Sequence, residues 1–212
     1  MNQPNWGAPS TSVSSDETTD YDRRLPHTKP TDTLRGLYFN GMFNAVKSAG
    51  GEQALKQFHD MLKDPALKRR YIDFSNYSAA DYLKIGSVAV RVIAPHVGGL
   101  ANAARHIGKQ GVVDFTSSMF GKTLMLLSGN SAAKSLSSLP SSYSTSTNWG
   151  ERTVTMLSET SARVSFRSDL IPPAQHEGML LAIVKSVNAK NPQVHTYPKG
   201  ILDCDFEVTW EK

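Results

Sequence analysis

The chain has 212 residues, 39% of them apolar, and carries a formal net charge of +4. That length suits one substantial domain plus a tail. A single cysteine, Cys204, excludes an internal disulfide, and no stretch approaches the roughly 18 apolar residues of a membrane span.

Residues 1–33 hold almost no aliphatics beyond Val13 and Leu25 and are rich in Ser, Thr, Asp, Asn and Pro. Such a stretch buries too little apolar surface to offset its chain entropy, so a disordered tail is expected there, with a single domain over 34–212. Asp32-Thr33 reads as the cap of a helix over 34–48, with Leu37, Tyr38, Met42, Phe43 and Val46 on one stripe. Gly50-Gly51 ends it, and a second helix follows over 52–62 through Leu55, Phe58, Met61 and Leu62. Ser78 or Ser75 opens a third helix, with Asp81 at capping-box spacing from Ser78; it is striped by Tyr82, Ile85, Val88, Ala89 and Val92 and closes at Pro95 and Gly98-Gly99. A helix over 100–117 comes next. "GKTLMLLSG" and "SAAKSLSSL" then read as two short ones, the last stopped by Pro140.

After Gly150 the apolar period changes from 3.6 to 2. "RTVTML" and "ARVSFR", separated by "SETS", predict a hairpin. "PPAQHEGMLLAIVKS" is a helix with prolines in its first turn, where a missing N–H costs nothing. Glu177 is placed in that first turn, and the dipole there favours a neutral imidazole on His176, read as a hydrogen-bonded boundary residue. Gly178 marks a close approach, and the apolar run 179–184 implies cover on both sides. "VHTY" and "DCDFEVTW" are strands. In the latter, Cys204, Phe206, Val208 and Trp210 share one face, as in an antiparallel sheet covered on one side. The fold class expected is α+β: an N-terminal helical layer packed on a C-terminal four-stranded antiparallel sheet, in strand-strand-helix-strand-strand order.

Catalytic motifs are weak. "HEGML" lacks a second histidine four residues on, so no metal site is expected. Gly121-Lys122-Thr123 lacks the first glycine and the preceding strand of a phosphate loop. Gly129-Asn130-Ser131-Ala132 follows no strand, as a nucleophile elbow must. The densest basic patch, Lys68-Arg69-Arg70, reads as a solvated helix end and has no aromatic interleaving, so nucleic acid is not expected as a partner. The one polar group worth examining for catalysis is His106, Tyr143, Arg152 and His176; no enzyme activity is expected. The cysteine count agrees with a cytoplasmic location.

On "GLYFNGMFNAV", "GGLANAARHIGK", "SLPSSYSTSTNWGERTV", "IPPAQHEGMLLAIV" and "GILDCDFEVTWE", residues 34–211 resemble a paralogous family of uncharacterised proteins abundant in myxobacteria. The layout is more distantly similar to the haem nitric-oxide-binding domain, the vinyl-reductase-type ligand-binding domain and the transport-particle subunits of Golgi tethering. The resemblance implies a bacterial sensor or binding domain in signalling or regulation. Its cavity for a small apolar ligand would be lined by Met42, Val88, Val92, Tyr143, Met179 and Ile183. The alternative it implies is a dimeric protein-interaction module without ligand, for which Tyr38, Phe43, Phe58 and the charged 60–70 segment offer contacts. Haem is not expected. The family's iron-ligating histidine falls near Ser142 or Tyr143, and its Tyr-x-Ser-x-Arg motif falls on Phe166-Arg167-Ser168-Asp169-Leu170, where only the serine matches.

Overall fold

In a computed structural model of the chain, residues 17–117 and 131–211 are described. Chain order begins earlier than composition suggests. Asp20–Arg24 (α1) is a short helix with a complete capping box from Thr19 and Asp22. Tyr21 anchors it in the core, which corrects the tail reading for residues 17–33; residues 1–16 lie outside the described residues. Apolar content underrates such a segment because one aromatic side chain supplies much of its burial. Gly86 makes the room: a β-carbon there would sit 2.4 Å from the Tyr21 ring.

Thr33–Arg35 (β1) pairs antiparallel with Asn76–Ser78 (β2) in a two-stranded sheet. Asp32-Thr33 is therefore no helix cap, and Gly36–Met61 (α2) starts at Gly36. A kink at Gly50-Gly51, where Gly51 takes φ +67°, divides α2 near the break read from the glycine pair. Ala79–Val97 (α3) begins after Ser78 without a side-chain cap, and Asp81 lies 3.5 Å from Lys84 instead of capping back. Gly98, at φ +82°, ends it in the left-handed conformation that glycine adopts without penalty. Leu100–Ser117 (α4) follows. The phosphate-loop reading, the short helix predicted around it and half of the elbow reading fall on 118–130, outside the described residues. Ala132–Ser137 (α5) is capped by Ser131. Pro140 opens a further helix, Leu139–Ser144 (α6), instead of stopping one, since proline suits a first turn.

Glu151–Ser158 (β3), Ser161–Arg167 (β4), Lys190–Pro198 (β5) and Cys204–Glu211 (β6) form one sheet in the order β3-β4-β6-β5, every pair antiparallel. Pro173–Ser186 (α7) is the crossover from β4 to β5. Cys204, Phe206, Val208 and Trp210 are all buried, and the residues between them are half-buried. Along with Ala162, Val164 and Phe166 of β4 they make the sheet's core face. α7 packs between that sheet and α4, with α2 and α3 beyond. Two glycines set its depth: a β-carbon at Gly178 would lie 1.9 Å from the Arg105 carbonyl oxygen, and one at Gly108 1.9 Å from that of Gln175. Tyr38, Phe43 and Phe58 contribute to the core, Phe58 fully and the other two partly buried. Phe58 is fully buried with the Phe43 ring 5.1 Å away, and Tyr38 packs edge-on to Tyr82.

Candidate functional site

Four side chains that the sequence scatters over 34 positions meet under the sheet. Tyr143 projects from α6, Arg152 from β3, Asp169 from the turn after β4 and His176 from the start of α7. Each is placed by a local device. Gly150, at φ +67°, lets the chain turn against the Arg167 carbonyl, and Arg152 then bonds the Trp149 and Gly150 carbonyls. Ser168 holds φ +50°, which costs an L-residue about 1 kcal/mol or more. That turn is held by bonds from the Ser168 N–H to Asp203 and from the Asp169 N–H to the Leu202 carbonyl, both 2.8 Å. It ends the strand and swings Asp169 inward. The Asp169 carboxylate then accepts from the Ile171 N–H at 2.7 Å, from Arg152 Nη2 at 2.6 Å and from His176 Nε2 at 3.3 Å.

A carboxylate only accepts, so Nε2 is the protonated nitrogen of His176. Nδ1 is then an acceptor and receives the Tyr143 hydroxyl at 3.3 Å; that hydroxyl also lies 3.2 Å from Met179 Sδ. The imidazole stacks on Phe166 with centroids 3.9 Å apart, and the Arg152 guanidinium lies 4.7 Å over the Tyr143 ring. His176 is thus a core residue with both nitrogens engaged, not a boundary residue, because the first turn of α7 seats Gln175 and His176 in the interior between α4 and the sheet.

Burial pushes His176 below the ordinary histidine pKa, and its contact with Asp169 only partly offsets this. Burial alone would raise the Asp169 carboxyl, but the imidazole, Arg152 and the Ile171 N–H outweigh it and hold the group ionised. Burial drives the Tyr143 phenol well above the usual tyrosine value, so it stays protonated. The resting state is one buried ion pair, Arg152–Asp169, extended by a neutral imidazole and a neutral phenol. A second buried chain of bonds runs beside it: Tyr21 donates to Gln175 Oε1 and Gln175 Nε2 donates to the Tyr82 hydroxyl, each at 2.7 Å.

Of the four candidates read as a polar group, His106 does not join. Its Nε2 sits 2.8 Å from Ser48 Oγ and 3.1 Å from the Ala45 carbonyl, on the α2 side of α4. Asp169 was missed. Glu177, expected in the first turn of α7, lies just past it and pairs with Arg105 Nε at 2.5 Å. Among the expected pocket residues, Met42 and Val92 are fully buried core, Tyr143 belongs to the polar tetrad, and Val88, Met179 and Ile183 are half-buried against the core. A surface cleft lined by Thr33, Arg35, Asn76 and residues 144–148 contains none of the six. Among the described residues there is no cluster of three or more metal-ligating side chains, and no single helix is long and apolar enough to cross a membrane.

Residues 27–211 match the family model described as protein of unknown function, DUF2378. The chain belongs to this family. No curated protein sequence matches it. The DUF2378 chain is similar in fold to solved H-NOX domains. An unliganded Fe(II) H-NOX protein from K. algicida is 10% identical, with a TM-score of 0.66 over 84% of this chain and 97% of that one. An H-NOX protein from S. oneidensis in the Fe(II)NO state is 12% identical, with a TM-score of 0.67 over 84% and 100%. An oxygen-binding H-NOX domain related to soluble guanylate cyclases is 8% identical, with a TM-score of 0.64 over 84% and 96%. The α+β architecture of this DUF2378 protein is therefore H-NOX-like, as the residue resemblance implies.

Proposed function

We propose that this chain is a non-catalytic sensor or regulatory module on an H-NOX-like scaffold, its interior closed by the Tyr143–His176–Asp169–Arg152 tetrad where a haem domain would hold its cofactor. One observation carries the reading: the tetrad is buried and its members are bonded to one another, with Arg152 Nε alone left without a hydrogen-bond partner. Tyr143, His176 and Asp169 are 3%, 1% and 2% exposed. An acid–base group must come within hydrogen-bond reach of a substrate proton, and these groups have no such access.

Among the described residues, the side chains around Tyr143 and His176 do not fit a haem. Axial ligation needs a donor with a free lone pair facing open space. Tyr143, nearest the ligand position in the resemblance, has its hydroxyl against His176 and Met179 and a guanidinium over its ring. Both His176 nitrogens are used, and Met42 and Val92 are packed solid. The same packing argues against a preformed cavity of the roughly 300 Å³ that small-ligand pockets begin at. Regulation then runs through contacts at the surface instead of through a bound small molecule.

The test is haemin titration and native mass spectrometry of the full chain purified from several hosts. The expected result is the bare chain mass and no Soret band above that of free haemin. A Soret band lost in Tyr143→Phe would overturn the haem-free reading, and a co-purified apolar molecule would overturn the closed interior.

A further inference from the structure

The turn after the basic patch inverts the usual surface. Ile72 and Phe74 are 68% and 70% exposed, the two most exposed large apolar side chains among the described residues. Looseness does not explain it, because the backbone of this turn is held from several sides. Arg35 gives α2 no side-chain cap; instead the Gly36 and Leu37 N–H groups donate to the Ser75 and Asp73 carbonyls at 2.9 and 3.1 Å. The Asn40 amide donates to the Tyr71 carbonyl at 2.8 Å and to Asp73 Oδ1 at 2.7 Å, and the Arg35 guanidinium donates to the Phe74 carbonyl. The Ser75 N–H closes the turn on Ile72 at 3.1 Å. A β-carbon at Gly36 would lie 2.2 Å from the Ile72 carbonyl oxygen, so the turn seats on α2 only because position 36 is glycine. Tyr71, buried and stacked on Phe39 at 4.3 Å, nails the segment down.

Beside these two side chains stand Lys68, Arg69 and Arg70, all exposed. No carboxylate pairs with any of the three among the described residues. The Arg69 guanidinium lies 5.4 and 5.0 Å over the Tyr71 and Tyr77 rings, which fixes it next to the turn. Nearby, Asp64 caps the Ala66 N–H and Asp73 is bonded to Asn40.

We propose that this segment docks the protein on an anionic phospholipid surface. Ile72 and Phe74 enter the boundary between headgroups and acyl chains, and Lys68, Arg69 and Arg70 engage lipid phosphates. Apolar tips that keep some two thirds of their surface in water protrude, and a bilayer accepts protruding tips, whereas a peptide partner needs a groove that encloses its side chains. The unpaired cations add a second attraction that only a negatively charged surface rewards.

The experiment is co-sedimentation of the full chain with vesicles of phosphatidylcholine containing about 30% phosphatidylglycerol, and with phosphatidylcholine alone; each basic residue near such a surface contributes on the order of a fivefold gain in partitioning. The expected result is binding to the anionic vesicles that weakens as salt rises. The double variant Lys68→Ala, Arg70→Ala should lower partitioning about thirtyfold, and Phe74→Ser about tenfold, with melting temperatures unchanged in both. Equal partitioning onto neutral vesicles, or variants that bind as the parent does, would overturn the proposal. So would sedimentation equilibrium showing a dimer that Phe74→Ser dissociates, since that would assign the turn to a second copy.

Discussion

The tetrad under the sheet and the turn at residues 72–75 are opposite departures from one rule. Under the sheet, an arginine, an aspartate, a histidine and a tyrosine sit among Phe166, Phe206 and Met179, where water cannot reach them. At the turn, an isoleucine and a phenylalanine stand in water on a backbone that is itself well bonded. The first arrangement persists because each of the four side chains is bonded to another, Arg152 Nε being the one buried polar atom among them without a partner; removing one side chain leaves an uncompensated charge or donor in a low-dielectric interior. The second carries no such penalty, since an exposed apolar side chain neither gains nor loses much on folding. Stability should therefore respond strongly to small chemical changes at the tetrad and weakly to large ones at the turn.

Substitutions can break that contrast at several strengths. The largest effect is expected for Asp169→Asn, which keeps shape but leaves Arg152 buried without a counter-charge. Breaking such a pair costs about 3–5 kcal/mol, read as a shift in the urea midpoint at neutral pH, and a loss under about 1 kcal/mol would show that water reaches the ion pair. Next is Gly178→Ala, where the added carbon meets backbone at 1.9 Å. Overpacking there should cost about 3 kcal/mol, because α7 must lift from α4 and carry His176 with it. A stability equal to the parent's would mean that the two helices slide apart freely.

Acid should act on the same region. The folded pKa of His176 is depressed, so as pH falls the unfolded chain takes up a proton first. The stability held by the neutral imidazole is complete above the unfolded value of 6.5 and is lost as pH drops below it. His106, lowered by partial burial, acts in the same direction but is screened. Asp169, also depressed, adds a second loss as pH falls below 3.8. Each proton contributes at most about 1.4 kcal/mol per pH unit. Urea midpoints between pH 7.5 and 5 should slope downward in the parent and less in His176→Gln; parallel slopes would remove His176 from the account. The smallest effect is expected for Phe74→Ser, within about 0.5 kcal/mol of the parent on stability. A larger loss would place Phe74 in the core and end the contrast between the two regions.

Much of the fold was legible in residue spacing. The period-2 alternation of "DCDFEVTW" and the hairpin repeats pick out β3, β4 and β6. The 3.6 period finds the main helices, and the glycine pairs mark the α2 kink and the end of α3. The misreadings share a cause. β1 and β2 are three residues each and owe their form to each other, not to local preference. α1 is five residues in polar sequence, held by one tyrosine seated against a distant glycine.

At the candidate site, Tyr143, Arg152 and His176 stood out as chemically unusual, but Asp169 did not. Ala162, Val164 and Phe166 face inward, so continued alternation puts position 169 outward; the left-handed Ser168 breaks that parity, and nothing in a single sequence announces it. By itself, then, the sequence determined which stretches coil, which extend and which faces are greasy, because those depend on neighbours a few residues apart. Only the tertiary structure decided that the tetrad closes on itself and that the 72–75 turn faces water, because both depend on contacts between residues tens of positions apart, where local periodicity carries no information.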